Sequence, residues 1–166
     1  MIYIVGMVSI ILGVLLDQFT KYLATIYLKD EPITLIKGVF QLHYLENHGA
    51  AFGILQNQQV FFLIMTVFTL LVLGYIYVRM PKEKRFLPLR ICMISIVAGA
   101  IGNMIDRMRF QYVVDFLYFK LIDFPIFNVA DIYASVATFV LIILFLFYYK
   151  EEDFDLIFRL FKRKEK

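Results

Sequence analysis

Four stretches of the chain are almost unbroken in apolar residues, and the polar positions fall between them or near their ends. They run from Ile2 to about Leu28, about Val60 to Val78, Leu89 to Ile105, and Val129 to Tyr149. Crossing the hydrocarbon of a bilayer takes roughly 20 apolar residues, and a helix satisfies its own backbone there. The pattern therefore predicts four membrane-spanning helices. Only the first is interrupted in mid-course, by Asp17 and Lys21. It has no basic stretch before the apolar run and no small-residue cleavage pattern after it, so it is expected to be retained. A shorter period appears between the spans. Pro32 to Ile36 and Val39 to Leu45 read as two strands around a turn at Lys37-Gly38, and Gln111 to Phe119 has the same strand-forming character. Phe40, Leu42 and Tyr44 alternate with Val39, Gln41 and His43, which gives one greasy face to rest on lipid or on the spans.

Composition supports the membrane reading. Of 166 residues, 61% are hydrophobic, and the mean hydropathy is +0.76. That much apolar content would make the surface of a soluble domain one continuous patch. The net charge of +3 is too small to suggest a nucleic-acid protein, and a lone Cys92 excludes an intrachain disulfide framework. What charge does supply is direction. Arg79, Lys82, Lys84, Arg85 and Arg90 crowd the second loop, and Arg159, Lys162, Arg163, Lys164 and Lys166 crowd the tail. Residues 29–58 hold only Lys29 and Lys37, although Arg107, Arg109 and Lys120 blur the contrast in loop three. By the positive-inside rule both termini and loop two are cytoplasmic.

The expected fold is an α-helical membrane protein with four transmembrane helices, a small extracytoplasmic β-sheet and a short amphipathic outer segment. Residues 1–166 form one domain. In the tail, 150–166, Phe154, Ile157, Phe158 and Phe161 make an apolar stripe on a basic helix, which suits the inner interface and its anionic headgroups.

On this topology Asp17, Lys21, Asn47, Asn103, Asp106, Arg107, Asp115, Asn128 and Asp131 converge on one rim of the bilayer, the outer one. Ionisable groups near hydrocarbon are costly unless paired or wetted, so they are functional candidates. Each also has a plainer reading. Asp17 and Lys21 are spaced for an intrahelical pair, Asp106 and Arg107 can mark a helix end with the arginine snorkelling to headgroups, and Asn103 can bond across to another span. Asp115 and Asp131 stand in strongly apolar settings with no cation adjacent in sequence. Two carboxyls held together in a low-dielectric site share a proton, so one can take a proton from water while the other polarises a carbonyl. Their spacing alone also fits a helix cap at Asp131 and a turn cap at Asp115, and both readings stay open. His43 and His48 lack the spacing of a helical zinc site, no serine sits in a nucleophile elbow, and Cys92 is expected at mid-membrane with no histidine near it. Ala98 to Gly102 reads as a close helix-packing surface.

Five ordered motifs narrow the choice: Leu16-Asp17-Gln18-Phe19-Thr20-Lys21, Glu46-Asn47-His48-Gly49-Ala50-Ala51-Phe52-Gly53, Gly99-Ala100-Ile101-Gly102-Asn103-Met104-Ile105-Asp106-Arg107, Val113-Val114-Asp115-Phe116 and Phe127-Asn128-Val129-Ala130-Asp131. With the spans between them they resemble the bacterial lipoprotein signal peptidases, also called signal peptidase II. Ala98 departs from the pattern, since the family often carries another glycine there. The resemblance implies an aspartyl endopeptidase with Asp115 and Asp131 as its catalytic pair and with no metal or organic cofactor. It implies that Asn47, Gly99, Asn103, Arg107 and Asn128 shape the site and hold substrate, with Asp17, Lys21 and Asp106 as structural support. The implied substrate is a prolipoprotein with a diacylglyceryl-modified cysteine, cut just before that cysteine at the outer face of the bacterial cytoplasmic membrane. Such enzymes are targets of globomycin. The implied partners are substrate and membrane lipids, with no nucleic acid, and nothing demands more than a monomer. Two rival classes remain beside the enzyme. A small transporter would carry a mid-span charge in its later helices and repeat symmetry. A scaffold protein would use the rim residues only to tie helices together, and would leave the apolar settings of Asp115 and Asp131 unexplained.

Overall fold

The computed structural model describes residues 1–49 and 54–158. Helix α1 spans Ile2–Tyr27, α2 Gln59–Arg79, α3 Leu87–Phe110 and α4 Val129–Ile143, the last running on into a π-helical turn, Leu144–Tyr148. Each of the four is long and apolar enough to cross a membrane, α3 together with the 3-10 turn Lys84–Phe86 that precedes it and α4 together with the π-helical turn that follows it. Their outward faces are apolar and open. Ile64 and Leu71 of α2 are 62% and 68% exposed, and Gln59 is the only residue that α2 buries among those described. A helix that is apolar all round and covered by so little protein needs lipid around it.

Helix α3 is the centre of the bundle and packs against α1, α2 and α4. Its small residues make this possible. A Cβ on Gly99 would lie 2.4 Å from the Ala130 carbonyl oxygen of α4, and one on Gly102 would lie 2.4 Å from an Asp17 oxygen of α1. The packing surface expected at residues 98–102 is thus a three-helix contact. At its far end α3 stops on Gln111, whose left-handed backbone (φ 66°) reverses the chain.

The strands lie at one end of the bundle, hereafter the sheet end. Strand β1 covers Ile33–Ile36, β2 Phe40–Asn47 and β3 Val113–Phe119, in the antiparallel order β1-β2-β3. The hairpin turns through Gly38 at φ 75°, a region that glycine enters without penalty. The expected greasy face of β2 meets protein: Leu42 and Tyr44 pack against Ala24 and Leu28 of α1 with Val114 and Phe116 of β3. At the opposite, tail end, Met80, Phe86, Leu89, Cys92, Met93, Ala137, Leu144 and Tyr149 form the apolar core. Helix α5, Glu151–Phe158, follows there.

Several boundaries differ from the sequence reading. Helix α3 continues to Phe110 rather than ending at Ile105, so Asp106 and Arg107 are helical. Strand β2 extends to Asn47. Arg90, counted above with loop two, lies in the first turns of α3 and is 1% exposed. Cys92 is buried in the tail-end core. Residues 50–53 of the second motif and the tail from Arg159 onward lie outside the described residues. So do the side chains of Phe154, Ile157 and Phe158 in the expected tail stripe.

Candidate active site

The pairing of β3 with the start of α4 builds the site. Phe116 and Leu117 both donate their N–H groups to the Phe127 carbonyl, at 3.0 and 2.8 Å, and the Phe127 N–H returns to Leu117 at 3.0 Å. That bridge sets Asp115 of β3 beside Asn128, the cap of α4. Asn128 and Asp131 form a capping box: the Asp131 N–H donates to Asn128 Oδ1 at 3.0 Å, and the Asn128 N–H donates to Asp131 Oδ2 at 3.1 Å. The cap role left open for Asp131 is therefore real, and it uses one oxygen. The other, Oδ1, accepts from Asn103 Nδ2 at 2.8 Å. Among the described residues Asp115 caps no turn. Its oxygens accept from Asn128 Nδ2 at 2.6 Å and from Asn47 Nδ2 at 2.8 Å.

Asp115 and Asp131 line one cleft of about 500 Å³ together with Asn47, Asn103 and Arg107. Its remaining wall is largely apolar, from Phe124 to Phe127 and along the Ile132, Ser135 and Val136 face of α4. Asp115 is 1% exposed. Burial, reinforced by the Asp131 charge, pushes its carboxyl up to about 7, against the pull of its two amide donors and of Lys21. A carboxyl held there near neutral pH can either lose or give a proton, which is the property general acid–base chemistry needs. Arg107 does not snorkel. Its Nη2 donates to the Gly49 carbonyl at 3.3 Å, the guanidinium lies 4.6 Å from the centre of the Phe62 ring, and its buried Nε has no partner among the described residues.

Behind the cleft sits a second, drier layer. Lys21 Nζ lies 2.9 Å from Asp17 Oδ2, 2.9 Å from Asp106 Oδ2 and 2.7 Å from Asn103 Oδ1. The expected intrahelical pair is present, extended by a partner on α3. Asp17 Oδ1 accepts from the Ala130 N–H at 2.9 Å and so anchors the first turn of α4. Asp106 accepts from Gln18 and from the Val114 N–H, one residue before Asp115. Gly99 does not line the cleft; it lets α4 approach α3 closely just below it. Sequence reasoning missed the Phe124–Phe127 wall and Ser135, although Ser135 stands one turn after Asp131 on the same helix. It also missed Phe62 under Arg107, which carries no local signal.

The helices and this cleft define a class: a four-span membrane protein with two carboxyls at one end of its bundle, walled by apolar side chains. Comparison with known proteins makes the class specific. The family model for signal peptidase (SPase) II matches residues 9–147. The lipoprotein signal peptidase of Clostridium tetani is 42% identical over 153 residues, covering 89% of this chain and 94% of its own. That of Caldanaerobacter subterraneus is 47% identical over 138 residues, covering 81% and 90%. A solved bacterial membrane enzyme superposes with a TM-score of 0.78 at 31% identity, over 89% of this chain and 92% of its own. The chain belongs to the signal peptidase II family and is a membrane peptidase.

Proposed function

We propose that this member of the signal peptidase II family removes signal peptides from lipoprotein precursors as an aspartyl endopeptidase, with Asp115 and Asp131 as the reacting pair. The observation that carries this reading is the pair itself: two carboxyls on one cleft, one of them buried and pushed up to about 7. Such a pair can divide the roles of acid and base between its two members. The ionised member takes a proton from the attacking water while the protonated member polarises the scissile carbonyl, and the proton then passes to the leaving nitrogen. Asn47, Asn103 and Asn128 keep the carboxyls in place, Arg107 offers donors to the substrate backbone, and Gly99 brings α4 close enough for the pair to form.

The substrate is a precursor whose cysteine carries a diacylglyceryl group, and the cut falls just before that cysteine. Its signal helix and acyl chains fix the scissile bond near the interface, which lowers the entropic barrier to attack. The apolar wall at Phe124–Phe127, Ile132 and Val136 suits such a lipidated chain. Both termini face the cytoplasm and the sheet end faces outward from the bacterial cytoplasmic membrane, in line with the basic loop two. The enzyme acts as a single domain and as a monomer. Asp115→Asn and Asp131→Asn, expressed separately and assayed on a diacylglyceryl-modified precursor, test the reading. Each is expected to lose cleavage by about a thousandfold or more. Wild-type cleavage by either variant at normal abundance sinks it.

A further inference from the structure

Lys21 reaches both carboxyls of the cleft through hydrogen-bond relays that branch at Asn103. Its side chain is 3% exposed and touches three acceptors, Asp17, Asp106 and Asn103. Through Asn103 one relay continues to Asp131, at 2.8 Å from Nδ2. A second passes through the same Asn103 oxygen, which also accepts from Asn128 Nδ2 at 3.1 Å, and Asn128 Nδ2 donates to Asp115 at 2.6 Å. A third runs through Asp106 to the Val114 N–H, and so to the backbone that carries Asp115.

An asparagine amide has a donor end and an acceptor end of nearly equal size, and a half-turn exchanges them at little steric cost. A neighbouring cation removes that freedom. With the Lys21 ammonium in place, a reversed Asn103 would aim its NH2 at Nζ and at the NH2 of Asn128, and its oxygen at the Asp131 carboxyl. In the observed orientation every one of these contacts joins a donor to an acceptor. The Asn128 amide is fixed on its own account by the capping box, its oxygen being taken by the Asp131 N–H, and its NH2 needs the Asn103 oxygen that Lys21 holds toward it.

We propose that Lys21 is a positioning residue for the cleavage reaction: its charge locks the Asn103 amide with its NH2 toward Asp131 and its oxygen toward the Asn128 NH2 that donates to Asp115, and so holds both carboxyls in the cleft. The proposal rests on the reading of those two aspartates as the reacting pair. A purely structural Lys21 would only neutralise Asp17 and Asp106. The two roles separate experimentally. The charged and titratable groups around Lys21 are Asp17 on its own helix, Asp106 and Arg107 on α3, Asp115 on β3, and Asp131 on α4, with Tyr133 beside Asp17.

The test compares Lys21→Met and the double variant Lys21→Met/Asp106→Asn with the parent and with Asp115→Asn and Asp131→Asn. Each is purified in detergent and assayed on a diacylglyceryl-modified precursor peptide across pH. Lys21→Met is expected to lower kcat about tenfold with KM within about threefold, and to move the pH limbs upward by about half a unit, because a nearby positive charge is lost. The double variant removes one buried charge of each sign, so it keeps the net charge of the parental Asp17–Lys21–Asp106 cluster without a cation beside Asn103, and it stays slow with KM unchanged. It decides the question if Lys21→Met does not accumulate. Parental kcat in a folded Lys21→Met, or in the double variant, overturns the proposal. Cleavage by Asp115→Asn or Asp131→Asn would instead remove the reading beneath it, whatever Lys21 does.

Discussion

The two ends of the bundle bury charge in opposite ways. At the tail end Arg90, 1% exposed, sits in an otherwise apolar core. Its partners are local: it donates to the carbonyls of Tyr77, Met80 and Pro81, at 3.2, 2.7 and 3.2 Å, and lies 4.8 Å from the centre of the Tyr77 ring. These are carbonyls at and just beyond the end of α2, where a helix has orphan acceptors and a negative dipole end. At the sheet end Asp17, Lys21, Asp106 and Asp115 are each 3% exposed or less, and their partners come from α1, α3, β2, β3 and α4. Of the buried charges at the tail end, Arg90 closes a helix terminus and Asp153, 6% exposed, pairs with Arg85. Four at the sheet end fix the relative placement of five elements, and well-packed apolar residues could have joined those elements more stably. The tail end is built for stability, whereas the sheet end is built for geometry.

The largest expected effect that sharpens this contrast separates rate from stability. Arg90→Leu leaves three carbonyls unpaired near the apolar core and should destabilise the protein by about 2–4 kcal/mol. The kcat of the folded fraction should stay at the parental value. Asp131→Asn should do the reverse. The new amide oxygen can still accept from the Asn128 N–H while its NH2 faces that of Asn103, so stability in detergent falls by only about 1 kcal/mol while cleavage falls by about a thousandfold. If Arg90→Leu lowers kcat as strongly as it lowers the unfolding temperature, the two ends are not independent and the comparison breaks.

Next in size is the pH dependence of stability that Asp115 imposes. Its carboxyl sits near 7 in the folded protein against an ordinary 3.8. Between those values the folded state holds a proton that the unfolded state releases, so this group's contribution to stability falls as pH rises from about 4 to about 7. Over that window it amounts to about a few kcal/mol. Asp115→Asn should flatten the decline and unfold at a higher temperature than the parent at pH 8, even though it is inactive. An unaltered pH–stability curve in that variant would remove the claim that the sheet end gives up stability to hold its carboxyl.

How much of this was legible beforehand follows from the range of each interaction. The spans were readable because an apolar run of membrane length is a coarse and local signal. Their ends were not, because hydropathy marks where charges begin rather than where a helix stops. Asp106 and Arg107 looked like an interface, yet α3 carries both into the site for another turn. Arg90 looked like a loop residue because the helix-end carbonyls that receive it carry no sequence mark. The sheet was readable from alternation, and the Asp17–Lys21 pair from its four-residue spacing. The hydrogen bond from Lys21 to Asn103 and the bridge between Leu117 and Phe127 were not readable, since nothing local encodes a partner on another element. For Asp115 and Asp131 the apolar setting raised the question, and the ordered motifs supplied by resemblance the answer proposed above.

The smallest effects come from two glycines that differ only in what lies opposite. Gly99 faces the Ala130 carbonyl, and an added methyl would stand 2.4 Å from that backbone oxygen, so α4 must move. Overpacking of this kind costs about 1–3 kcal/mol, and here the displaced turn carries Asp131. Gly99→Ala should therefore lower both stability and kcat. Gly74, in the middle of α2, has nothing within 4 Å of an added Cβ. There alanine removes only unfolded-chain entropy and should stabilise by up to about 1 kcal/mol with cleavage unchanged. Melting curves and initial rates of the two variants side by side check this. A Gly74→Ala protein that lost activity would mean that α2, which buries so little inside the protein, takes part in the site through a face that lipid or substrate covers.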